Sequence, residues 1–160
     1  FNGIHIRNLD DQELAKRLTT YFVKAGLEVE QDLLLKIAPI IKERITTLDE
    51  SVDMAGFFFK DDVVYNPQEL VGKGLDVEGT KKILSESYEI LSGMDNISLP
   101  STEPRMRDYV EKSGLSSGQV FGVLRVAVTG QRVSPPLFES MEIIGKDKVI
   151  ERIKKAIDLL

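Results

Sequence analysis

The 160-residue chain contains no cysteine. A disulfide framework, a thiolate metal site and a thiol nucleophile are therefore excluded within it. It contains a single histidine, His5, which excludes a multi-histidine metal cage or a histidine relay. No apolar run approaches the roughly 18 residues that a membrane-spanning helix needs. No basic segment followed by an apolar one opens the chain as a signal peptide would. A cytoplasmic location is the expectation. No phosphate loop of the GxxxxGKS/T type occurs, and Gly72-Lys73-Gly74 is too short to stand for one. The chain opens on Phe1 rather than Met, which fits a fragment or a processed chain.

What is present is the composition of a folded domain, with 42% hydrophobic and 29% charged residues. The length suits one full domain or two small ones. The net charge is −5, unevenly spread. Residues 1–98 hold 11 Lys and Arg against 18 Asp and Glu, and residues 99–160 hold 10 against 8. The second part could receive a polyanion that the first would repel, although such imbalances are common among small domains.

Hydrophobic spacing predicts a succession of helices. Asp10 with Glu13 reads as a capping box ahead of Leu14, Leu18, Tyr21, Phe22 and Ala25, with Gly26 as the stop. Residues 32–45 read as a second helix that Pro39 should kink or split. Thr47 and Glu50 read as a further capping box. Phe57-Phe58-Phe59 reads as an aromatic-packed turn running into Lys60-Asp61-Asp62, and Val63-Val64-Tyr65 as a short extended piece. Asn66-Pro67 opens a short helix and residues 77–92 a longer one, which Gly93 ends. Residues 94–104 are the candidate subdomain boundary. Beyond them, helices are expected over 103–113, 118–128, 134–144 and 149–160. The Val-rich stretch 118–128 also suits a strand; its Val120, Val123, Leu124 and Ala127 fit one helical face, and helix is the reading adopted. The fold class is all-α, in two subdomains.

Enzyme chemistry finds little support. His5 lies far in sequence from any marked serine. The adjacent pairs Asp49-Glu50 and Asp61-Asp62 point in different directions and read as caps or solvated turns. The basic residues Arg105, Arg107, Lys112, Arg125 and Arg132 are more informative. Arg125 sits within Val123-Leu124-Arg125-Val126-Ala127-Val128, where a guanidinium either snorkels from a buried helix or is held for a ligand. Ser134-Pro135-Pro136-Leu137-Phe138 is a rigid helix start, or a surface whose N–H groups face a phosphate or a base edge.

The segments Gly118-Gln119-Val120, Leu124 to Gly130, Ser134 to Glu139 and Ile143 to Ile153 together resemble the C-terminal end of bacterial glutamyl-tRNA synthetases. The opening Phe1 to Arg7 resembles the segment after that family's catalytic core, and Arg44 to Leu48 also finds a counterpart. The resemblance implies a cage-like helical anticodon-binding region. Residues 1–26 would close the stem-contact region, and 27–98 and 99–160 would form two anticodon-binding subdomains. It implies an enzyme that uses ATP and Mg2+ to attach glutamate to tRNA(Glu). The family's HIGH-like and KMSKS-like motifs are absent from this sequence. The chain by itself is therefore expected to be inactive and to hold no ATP, Mg2+ or other cofactor. The expected partner is the tRNA(Glu) anticodon loop, with no DNA and no membrane, and the expected state is monomeric. Carried over by motif, the anticodon contacts are Arg44, Arg107, Arg125, Ser134, Pro135 and Leu137. Ser134 stands where the family has Thr, and Pro136 where Gly can occur. A helical protein-interaction module without RNA binding is the competing expectation.

Overall fold

The computed structural model describes residues 3–60 and 63–160, with side chains from residue 6 onward. Phe1-Asn2, Asp61-Asp62 and the His5 side chain lie outside that description. All regular structure among the described residues is helical, as the sequence pattern predicts. The chain divides into two compact units, Phe1–Asp61 and Asp62–Leu160.

In the first unit α1 spans Gly3–Asn8, α2 Asp11–Lys24, α3 Gln31–Ile41 and α4 Glu50–Ala55, followed by a 3-10 turn, Gly56–Phe59. Asp10 caps α2 by accepting from the Glu13 N–H at 2.7 Å. Glu13 does not complete the box; its carboxylate pairs with Arg17 at 2.9 Å. Tyr21, expected inward, is exposed, while Leu14, Leu18 and Phe22 are fully buried. Helix α3 continues through Pro39 and stops at Ile41, short of the expected end at Ile45. Pro39 removes one intrahelical donor, and its ring stands on an exposed face. Ile45 is buried from the turn that follows. At α4 Thr46 is the main partner of Glu50, with its N–H and hydroxyl donating at 3.2 and 2.7 Å, and the Thr47 side chain contributes a weaker interaction. Phe57 and Phe58 are buried, and Phe59 stands edge-on to Phe22 at 5.1 Å.

In the second unit α5 spans Pro67–Leu70, α6 Val77–Ser92, α7 Leu99–Ser113, α8 Ser117–Thr129, α9 Leu137–Ile144 and α10 Lys146–Leu159. Helix α10 packs on α6 and α8, and α9 packs on α7 and α8. Leu84, Leu124 and Ile153 in this core are fully buried; each contributes about 1.5–3 kcal/mol by leaving water. The 94–104 segment lies inside this unit, where it joins α6 to α7. Helix α7 starts at Leu99, four residues before the expected Glu103, with Pro100 in its first turn. The ambiguous 118–128 stretch is helical, closed by a Ser116–Gln119 capping box at one end and Gly130 at φ 76° at the other.

Residues 63–65 precede α5 outside any helix. Val63 and Tyr65 are buried, while Val64 is 90% exposed. The Tyr65 hydroxyl lies 2.5 Å from the Ala127 carbonyl oxygen and 2.8 Å from that of Arg152, sharing one proton between them. Lys155 donates to the Val63 carbonyl at 3.0 Å. Arg152 is 2% exposed and donates to the Val128 carbonyl at 2.9 Å, so this cation of α10 faces inward. These polar bonds fasten the start of the unit to the C-terminal end of α8 and to α10.

Candidate nucleic-acid interface

The interface is built around α8 and the loop that leaves it. Gly130 lets the chain turn back in the left-handed region. Thr129 secures the turn by accepting from the Gln131 N–H at 3.1 Å, with its hydroxyl 2.7 Å from the Arg125 carbonyl. The half-buried Arg125 then reaches across the loop. Its Nη1 donates to Ser134 Oγ at 2.5 Å and to the Pro135 carbonyl at 2.9 Å, with the Ser134 carbonyl at 3.5 Å. The Ser134 hydroxyl in turn donates to the Pro135 carbonyl at 2.8 Å. Arg125 therefore braces the 134–135 turn, an arrangement the alternatives of snorkelling and ligand capture did not contain. Charge-assisted bonds of this kind contribute about 1.5–3 kcal/mol each.

Ser134, Pro135 and Leu137 lie together in the turn, and all three are buried. The loop shows the outside Arg132 and Val133, the latter 73% exposed. Helix α9 follows directly, with Pro136 at its cap. Its first N–H groups have no intrahelical acceptor, as at any helix start.

Arg107 lies on α7 and is exposed. Its Nε and Nη2 donate to Glu103 Oε1 at 3.1 and 2.8 Å. Its guanidinium stands over the Phe121 ring, 5.6 Å from the centroid. Phe121 meets Phe138 edge-on at 5.1 Å and 87°. Phe138 follows Leu137, and Phe121 precedes Arg125 by one turn of α8. One aromatic pair thus links Arg107 to the braced turn. Phe121 was not among the residues the sequence singled out for the site. Its spacing of four from Arg125 on a helix was the available signal.

A cleft of about 390 Å3 runs along α8 past Gly118, Gly122, Val123 and Val126, with Lys73 and Arg132 at its rim. Arg44 lies in the first unit, in the turn after α3, exposed, with Nη1 donating to the Ile40 carbonyl at 3.2 Å. Among the described residues no three Asp, Glu or His side chains come together to hold a metal ion. Among them no helix is long and apolar enough to cross a membrane. Tyr109 on α7 has its hydroxyl pKa raised by burial, reinforced by Glu86, and Lys112 has its pKa raised by the exposed Asp108 beside it.

An all-helical unit that presents an exposed arginine beside an aromatic ring and next to a proline-stiffened loop has the equipment of an RNA-reading domain. The anticodon binding domain family matches residues 13–157, and the chain belongs to that family. Within it, the chain is 36% identical over 165 residues to the glutamate–tRNA ligase of Roseiflexus castenholzii, covering 99% of this chain and 32% of that protein. It is 35% identical to the glutamate–tRNA ligase of Chloroflexus aurantiacus, covering 99% of this chain and 33% of that one. Among solved structures, a glutamate tRNA ligase from Elizabethkingia meningosepticum, crystallised in complex with its amino acid, superposes with a TM-score of 0.84 at 25% identity. The superposition covers 99% of this chain and 31% of that one. The chain spans about a third of the length of the curated relatives it matches.

Proposed function

We propose that this chain is the anticodon-reading region of a glutamate–tRNA ligase and that its partner is the anticodon loop of tRNA(Glu). In that reading the whole enzyme attaches glutamate to tRNA(Glu) with ATP and Mg2+ in the cytoplasm, and works as a monomer. Residues 1–26 close the stem-contact region, and 27–98 and 99–160 supply the anticodon-binding surfaces. Arg44, Arg107, Arg125, Ser134, Pro135 and Leu137 serve anticodon recognition. Arg107 offers an open donor edge to a base or phosphate, and Arg125 holds the 134–135 turn in the shape a base packs against. Buried Ser134, Pro135 and Leu137 act through that shape more than through their own surface.

The observation that carries the reading is the exposed Arg107 guanidinium over the Phe121 ring, 5.6 Å from its centroid, next along α8 to the Arg125-braced turn. Splayed anticodon bases are read by such forks on their hydrogen-bonding edges and by stacking on flat groups. Titration of the chain with a tRNA(Glu) anticodon stem-loop tests it. Binding is expected to weaken as salt rises and to prefer the glutamate anticodon over a scrambled one. Equal affinity for both loops, or none for either, would refute it.

A further inference from the structure

We infer that Phe121 is the positioning residue for Arg107: its ring draws the guanidinium to one side of α7 and so sets which donor edge meets the RNA. The inference rests on the anticodon-reading role proposed for Arg107. An arginine on an exposed helix face samples many rotamers, and an exposed i, i+4 pair such as Glu103–Arg107 holds it only weakly. Here two contacts act together. Glu103 Oε1 takes the Nε and one N–H of Nη2, which fixes where that edge points. The Phe121 ring lies under the guanidinium, 5.6 Å from its carbon, and its π-face draws the cation to that side.

The ring is itself held. Phe121 sits on α8, in a different helix from Arg107, and its position is set by edge-on contact with the buried Phe138 of α9. Three helices therefore determine one guanidinium. Nη1 and the outer N–H of Nη2 have no protein acceptor among the described residues. They form a two-pronged fork suited to paired acceptors on a base edge or to a phosphate. A leucine at 121 would fill similar space without the π-face that attracts a cation, whereas tyrosine would keep it.

The test uses the chain as it stands, with tRNA(Glu) and scrambled-anticodon stem-loops as probes. Phe121→Leu is expected to weaken the matched complex roughly two- to fivefold and to narrow the preference over the scrambled loop, while Phe121→Tyr keeps both. In an Arg107→Ala background Phe121→Leu should have no further effect. In the free protein the Arg107 Hε resonance should carry an upfield ring-current shift that Phe121→Leu removes and Phe121→Tyr retains. Losses that add in the double variant, or an Hε resonance indifferent to residue 121, would overturn the inference while leaving the anticodon reading intact. An Arg107→Ala chain that binds like the parent would instead defeat the role of Arg107, and the inference with it, whatever the resonance shows.

Discussion

Arg125 sits in an apolar stretch of sequence, yet in the fold its guanidinium reaches polar partners. Its Nη1 meets the Ser134 hydroxyl and the Ser134 and Pro135 carbonyls. Removing the guanidinium leaves partly buried acceptors without their donor and frees the turn. Arg125→Ala is expected to weaken stem-loop binding by about 1–3 kcal/mol, measured by titration; unchanged affinity would show that the turn's shape is not what the RNA meets. Glu50 illustrates a second residue-scale effect. Hydrogen bonds from the Thr46 hydroxyl and N–H hold its carboxyl below the ordinary value of 4.5. A depressed folded-state pKa adds stability above the unfolded value, and that stability is lost as pH falls through the folded one. Melting temperatures between about pH 6 and pH 3 should therefore fall less steeply in Glu50→Gln than in the parent. Equal slopes would contradict this.

Among the elements, helix stops were legible because glycine marks them chemically. Gly26, Gly114, Gly130 and Gly145 all adopt positive φ. Gly130 carries a second constraint that no local pattern reveals: a Cβ there would lie 3.0 Å from the Val64 carbonyl oxygen. The 63–65 segment runs past that point. Gly130→Ala should thus cost about 1–2 kcal/mol from backbone strain alone, with the contact adding to it. Chemical denaturation measures this, and a neutral result would mean that the segment yields. Helix starts were less legible. Helix α7 begins ahead of its expected start because Pro100 is well suited to a first turn. Thr46 rather than Thr47 became the main partner of Glu50 because the side chain that reaches it best depends on the path of the turn. The strand-or-helix ambiguity of 118–128 was settled by packing, since α8 meets α5, α6, α7, α9 and α10 and buries more than one face.

For the whole molecule, the charge asymmetry depends on where the line is drawn. Divided at the structural boundary, residues 62–160 carry 13 Lys and Arg against 15 Asp and Glu, a net of −2 rather than the +2 of residues 99–160. Acidic α6 belongs to the same unit as basic α10 and packs on it. Attraction for RNA is then a local property of a few arginines, not of a basic half. Arg44 stands apart in the first unit. In a ligase containing this chain, Arg44→Gln is expected to relax the choice between glutamate and glutamine tRNAs, and unchanged charging ratios for the two would refute it.

The sequence by itself determined the all-helical class, most helix ends and the motif resemblance that points to anticodon binding. Those depend on residue type and on spacing along one chain, which 3.6-residue periodicity and capping chemistry make readable. Only the tertiary structure decided what Arg125 bonds to, that Arg152 faces inward, and that Phe121 lies under Arg107. Each of these joins groups from separate elements, and directions in space between helices are set by packing, which no local pattern encodes.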